Sequence, residues 1–163
     1  MGMVMKTNED LTALLSEYRL EINTIKDSIE DGWMQKVIGL YDEAIKRTRG
    51  HIAQDEFAKL LVEYAEFLRT NKQYHLINGL YDESLAICRQ LVEYDSSYLP
   101  IIAGILYAMA ILHDVFCRYD EAIAGYAESL SIYRRLAKDD PLDQTLRFSL
   151  AFDMDGIKDL FRR

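Results

Sequence analysis

The chain has 163 residues, of which 50% are hydrophobic and 28% charged, enough for one domain that buries roughly 70% of the surface its unfolded chain exposes. A formal charge of -8 disfavours nucleic acid and anionic membranes as partners, because affinity for a phosphate backbone rests on Lys and Arg displacing counterions. Cys88 and Cys117 stand far apart with no CxxC spacing, which indicates neither a disulfide framework nor a zinc site and fits a reduced, cytoplasmic setting.

Only eight Gly and two Pro interrupt a sequence rich in helix formers, so the expected fold class is all-α. The opening MGMVMKTNEDLTALL has no apolar signal core and reads as an ordinary leader. No run reaches the roughly 18 apolar residues of a membrane span. From there apolar residues recur at three- and four-residue steps. Leu11, Leu14, Leu15, Tyr18, Ile22, Ile25 and Ile29 form the first helical stripe, which ends near Asp31 and Gly32. A second helix is expected over 33–49 with Gly50 as its stop, a third over 53–70 and a fourth over 73–94. In YDSSYLP, Ser96 or Ser97 can cap and Pro100 suits a first turn, so the fifth helix starts near 98 and runs to about 115. The sixth spans about 119–138, and Asp140 followed by Pro141 repeats the cap-then-Pro signature to open a seventh.

That seventh helix contains SLAFDMDGIKDLF, 149–161, whose Asp-x-Asp-Gly resembles the first motif of haloacid dehalogenase-like phosphatases. The chemistry of that motif requires its first aspartate at the carboxyl end of a parallel strand, with a lysine and further acids supplied by later strands. Here only seven residues follow Gly156 and no strand-helix alternation precedes it. Asp153 and Asp155 are therefore read as the wettable side of a helix, with Gly156 loosening its end, and no catalytic residue is assigned. An EF-hand is excluded by the position of the glycine. His51, His75 and His113 lack mutual i,i+4 spacing and a nearby Cys pair, so no metal or cofactor is expected. Trp33, next to Gly32, reads as a local packing residue.

The more informative signal is internal repetition. GLYDEAI at 39–45 returns as GLYDESL at 79–85 and more loosely as GYAESL at 125–130. A shift of 45 residues places Leu61, Ala65, Tyr81, Glu83, Ser84, Leu85 and Arg89 on Leu106, Ala110, Tyr126, Glu128, Ser129, Leu130 and Arg134. Each unit is a helical hairpin in which Ala65 or Ala110 permits close approach of the partner helix, and one hairpin cannot bury its apolar face alone. A shift of 41 places Pro141 on Pro100 and Ala151 on Ala110, making the seventh helix the first half of a fourth unit, which serves as a cap.

Leu106-x2-Met109-Ala110-x2-His113 followed by Ala122-x3-Tyr126-x2-Ser129 resembles the tetratricopeptide repeat pattern W-x2-L-G-x2-Y then A-x3-F. Leu61-x2-Tyr64-Ala65-x2-Leu68 with Ile77-x3-Tyr81-x2-Ser84, and Val37-x3-Tyr41-x2-Ala44, carry the two earlier copies. Periods of 40 and 45 are similar to the long-helix subclass typified by kinesin light chain. The resemblance implies a right-handed α-solenoid of three hairpins, about 10–50, 53–94 and 98–138, plus a capping helix at about 141–162, all in one domain.

It further implies a non-enzymatic adaptor that binds a protein or peptide segment in a groove lined by the first helices. The family's groove positions fall on Lys59, Val62, Glu66 and Arg69 in the second repeat. In the third they fall on Gly104, Tyr107, Ile111 and Asp114, and in the cap on Thr145, Phe148, Phe152 and Asp155. The alternative for Tyr107, Phe148 and Phe152 is packing of the third repeat against the cap. A small acidic secretion-type chaperone is the second functional reading. Leu11, Leu14 and Leu15 extend beyond the aligned stretch, so they either pair two copies into a dimer or fold back on the second helix.

Overall fold

The computed structural model describes residues 7–28, 30–77, 79–141 and 143–162, excepting the side chains of 8, 144–150, 152 and 153. Those residues form seven α-helices and no strand: α1 Asn8–Ser28, α2 Trp33–Thr48, α3 Gln54–Thr70, α4 Leu80–Leu91, α5 Leu99–Val115, α6 Tyr119–Asp139 and α7 Gln144–Arg162. Each helix packs mainly against its predecessor and its successor in the chain, most extensively α5 against α6. Charge placement supports several of them. Acidic side chains sit in the first turns of α3, α4 and α6, and basic ones in the last turns of α2, α3, α4 and α6.

The 45-residue repeat reappears in atomic detail. Ser84 Oγ donates to the Ala58 carbonyl at 3.1 Å, and Ser129 Oγ donates to the Ala103 carbonyl at 2.8 Å. Both serines are fully buried. Lys72 and Cys117, also 45 apart, are the two non-glycine residues with positive φ among those described, at 58° and 59°. After each, the next amide reaches back to the preceding helix over 2.8 Å, Gln73 N–H to the Leu68 carbonyl and Arg118 N–H to that of His113. A left-handed residue just past a helix lets late amides satisfy carbonyls the helix leaves open.

The main core runs from Leu15, Tyr18 and Ile22 through Val37, Tyr41 and Ala44 to Leu60, Tyr64, Leu68, Tyr81, Cys88, Ile105 and Leu106. Ala110, Ala122, Tyr126 and Leu160 form a second cluster that holds α7 on. By length and composition Ser96–Val115 is apolar enough to cross a membrane. In this fold Ile102, Ala103, Ile105, Leu106, Ala108 and Ala110 of that stretch are buried.

Three boundaries depart from the sequence reading. The fourth helix begins at Leu80 rather than 73: Tyr74–Leu76 form a short 3-10 turn and Gly79 adopts φ 77°. Gly39 occupies the matching place in α2 and stays helical, so the repeat hid the break. Ahead of α5, the Asp95 carboxylate, not a serine, accepts the Ser97 N–H at 2.9 Å, which lowers its pKa. The seventh helix begins at Gln144, three residues beyond Pro141. Gly156 also has a different role from the one expected. A Cβ there would stand 2.9 Å from Tyr126 Cζ, so this glycine permits close docking of α7.

Leu11 and Leu15 are buried within the chain at 5% and 1% exposure and Leu14 is half-buried, the folding back that was expected as the alternative to pairing two copies.

Glycine substitutions should separate close approach from free space. A Cβ on Gly125 would meet Ala110 Cβ at 3.0 Å and the Leu106 carbonyl at 3.3 Å, whereas nothing lies within 4 Å of one on Gly39. Gly125→Val should destabilise by about 1–3 kcal/mol through overpacking. Gly39→Ala should stabilise by up to about 1 kcal/mol. Urea denaturation of both variants against the parent checks the two signs.

Candidate functional site

A groove of about 510 Å³ opens among α1, α2 and α3, lined by Lys26, Trp33, Tyr41, Glu63, Glu66, Phe67, Thr70 and Asn71. Its floor is aromatic. Tyr41 stacks on Tyr64 with ring centroids 4.8 Å apart, Phe67 tilts against Tyr41 at 5.8 Å, and Trp33 meets Phe67 edge-on at 6.1 Å. Trp33 therefore packs locally and lines the groove at once.

The rim is charged. Arg19 holds Glu63 with both prongs of its guanidinium, at 3.1 and 2.9 Å. Glu66 accepts from Arg69 Nη2 at 2.6 Å and also from the Tyr81 hydroxyl. Lys26 differs: its ammonium lies 4.9 Å from the Phe67 ring centroid and 6.0 Å from that of Tyr41, a cation-π arrangement. Among the described residues no carboxylate lies within ion-pair reach of it. Burial lowers its pKa, and Glu63 opposes that only in part. The groove thus offers one ammonium over aromatic rings, between carboxylates that already have partners.

The residues expected at the site are distributed unevenly. Glu66 lines this groove and Arg69 braces it. Lys59 is exposed near the start of α3, where its amine engages Glu56 at 3.2 Å and Asp55 at 3.5 Å. Val62 packs half-buried against the main core. Tyr107 and Ile111 lie together on the cluster around Ala110, Tyr126 and Leu160, with Tyr107 edge-on to Tyr126 at 5.5 Å. Gly104 faces Tyr133 of α6. Asp114 sits in the last turn of α5, its carbonyl accepting the Cys117 N–H at 2.9 Å. Asp155 is exposed and 4.0 Å from Lys158. The side chains of Thr145, Phe148, Phe152 and Asp153 lie outside the described residues.

Lys26, Trp33, Tyr41, Glu63 and Phe67 were not singled out as groove residues from sequence. The first helix of repeat one matches the family pattern too poorly to transfer groove positions onto α1. The usable signal was the aromatic recurrence Trp33, Tyr41, Tyr64, Phe67 across two neighbouring helices.

A second, smaller cleft of about 130 Å³ lies where the shortened α4 leaves the end of α5 uncovered, between Tyr74, Ile77, Asp82, His113, Phe116 and Arg118. Among the described residues His113 Nδ1 is buried there without a hydrogen-bond partner, and desolvation, then the charge of Arg118, lowers its pKa. His51 and His75 belong to other segments, just after α2 and in the 3-10 turn. No group of three or more His, Cys, Asp or Glu among the described residues is placed to hold a metal ion. Cys88 is buried in the core, which raises its pKa, and Cys117 is exposed. Comparison with family models, curated proteins and solved structures finds no match to this chain.

The groove tyrosines give a pH dependence. Burial, reinforced by the charge of Glu63, pushes Tyr41 up to about 12. Burial also raises Tyr64 and Tyr81, aided by hydrogen bonds to Asp42 and Glu66 respectively. A phenol whose folded pKa exceeds its unfolded value near 10 contributes stability that is complete below pH 10 and lost as pH rises toward the folded value. Stability measured by urea unfolding should therefore fall between pH 10 and 12, and Tyr41→Phe should flatten that fall. Tyrosinate absorbance in the native protein should show these rings titrating late.

Proposed function

We propose that this chain is a non-enzymatic interaction module that binds a protein or peptide segment in the groove between α1 and α3. The observation that carries the reading is the ammonium of Lys26 held over Phe67 and Tyr41 beside carboxylates that are already paired. A peptide carboxylate docked there would complete an ion pair in a partly desolvated place, where such a pair is stronger than in open water. An apolar or aromatic side chain of the same peptide would settle on half-buried Trp33, over a floor of buried Tyr41 and Phe67, an aromatic type that supplies much of the energy at interfaces.

The proposal includes a tetratricopeptide-like stack of three hairpins with α7 as the first half of a fourth. Two facts support it: the buried serine-to-carbonyl bond and the left-handed turn both recur at 45 residues, and helices pack on their chain neighbours. In such an array the first helices share one side, and α1 and α3 carry the charged rim of the groove. An adaptor of this kind belongs in the reduced interior of a cell, consistent with unpaired Cys88 and Cys117.

Selection from a random peptide library displayed on phage should return sequences that combine an acidic residue with an aromatic or large aliphatic one. Lys26→Glu should weaken those peptides at least tenfold, and Phe67→Ala should weaken them further, as read by fluorescence anisotropy. Peptides that bind both variants as well as the parent would place recognition elsewhere and defeat the proposal.

A further inference from the structure

The two copies of the left-handed turn share a backbone and differ in their side chains. After Lys72, the Gln73 amide bonds back to the Leu68 carbonyl; Leu68 is fully buried, and the Gln73 side-chain amide donates to the Asn71 carbonyl at 3.2 Å. After Cys117, the Arg118 amide makes the same 2.8 Å bond to the His113 carbonyl. A leucine and a glutamine have thus become a histidine and an arginine. Among the described residues neither of the new side chains has a hydrogen-bond or ion-pair partner. A buried nitrogen that nothing satisfies lowers stability, and an apolar side chain fills the same place one repeat earlier.

His113 and Arg118 both line the cleft beside the late start of α4. Its void of about 130 Å³ is close to the roughly 150 Å³ apolar cavity that takes up benzene, so it suits one phenyl ring or one branched aliphatic side chain. The floor is apolar, with Ile77 buried and Met109 and Leu112 half-buried. At the mouth the guanidinium carbon of Arg118 lies 6.0 Å from the Phe116 ring centroid, and Tyr74 meets the same ring edge-on at 6.3 Å. Asp82, in the first turn of α4, lines the cleft from the other side. Its charge and that of Arg118 act on the His113 imidazole in opposite senses. Yet neither is in ion-pair contact with the other or with any described residue.

We propose that this cleft is a binding site for a free amino acid with an aromatic or branched aliphatic side chain. The side chain fills the void over Ile77, Met109 and Leu112. The carboxylate accepts from the Arg118 guanidinium and from the imidazole N–H, and no existing bond resists the turning of that ring toward it. The ammonium pairs with Asp82. An acid and a base held apart on two sides of one small cleft match the two ends of a zwitterion, and in a partly enclosed place such pairs are stronger than in open water. A plain carboxylate would be repelled by Asp82, and a plain amine by Arg118. The end of a peptide carries only one of the two charges, so the free amino acid is the species that engages all three polar groups. None of these residues lines the groove of Lys26, and the inference stands apart from the peptide reading.

Isothermal titration of the full chain with L-phenylalanine and with L-leucine is the test. Both should bind saturably. Arg118→Gln and Asp82→Asn should each weaken them at least tenfold, with circular dichroism unchanged because both side chains are exposed. His113→Leu, which restores the residue of the earlier repeat, should weaken them likewise. Blocked ligands assign the two ends: N-acetyl-L-phenylalanine should bind weakly and lose nothing further in Asp82→Asn, and L-phenylalaninamide should behave in the same way toward Arg118→Gln. No saturable binding of either free amino acid at millimolar concentration, or binding indifferent to both charge substitutions, overturns the inference. A blocked ligand that binds as tightly as the free one overturns it too, by assigning the cleft to a peptide terminus.

Discussion

Every helix here depends on how closely its neighbour can approach. Two helices meet at van der Waals distance only where one surface is nearly bare, and Ala110 against Gly125 supplies that place for α5 and α6. Once backbones are that near, a short hydroxyl can span the gap, and Ser129 reaches the Ala103 carbonyl. The same reach by Ser84 ties α4 to α3. Apolar burial drives the helices together, but it has no direction. The small residues and the buried hydroxyls fix which turn of one helix faces which turn of the next, and with it the alignment of Tyr41, Phe67 and Trp33 beneath Lys26.

Charge is organised on a longer scale than any single hairpin. Arg19 with Glu63, Arg49 with Glu83 and Arg89 with Glu128 each join helices that are not consecutive in the chain. Pairs this exposed contribute little individually. Their value is in register, since a slip of one turn in any hairpin would leave the partners about 5 Å out of line. Lys26 lies outside this register, its ammonium over the Phe67 and Tyr41 rings instead of against a carboxylate.

The all-helical fold was legible because periodicity and repetition agree: a stripe such as Leu61, Tyr64, Ala65 and Leu68 reads as a helix, and its echo at Leu106 and Ala110 says what the helix packs against. The late start of α4 was not legible. Gly39 and Gly79 occupy the same place in the repeat, and only the second takes positive φ, a difference set by what precedes each glycine rather than by the glycine itself. The groove was half legible. Glu66 and Arg69 came from the resemblance of α3 to a repeat pattern, whereas Lys26 lies on α1, whose sequence resembles no repeat and whose position is fixed by contacts with α2 and through Arg19 to Glu63. Tyr107 and Ile111 satisfied the same pattern, yet they pack with Tyr126 and Leu160.

The shortened α4 has a mechanical consequence. Where helices touch mainly their neighbours in the chain, stiffness is a series property, and the most compliant joint sets how the whole bends. Between α3 and α4 a single 3-10 turn, Tyr74–Leu76, replaces the helical turns that open α6, and a small void lies behind it. The shortened helix stays in extensive contact with α3 and touches α5 far less, so bending at this point parts α4 from α5 rather than from α3. A load that bends the stack of helices there widens the cleft around His113 while the Ser84 bond keeps α4 seated on α3.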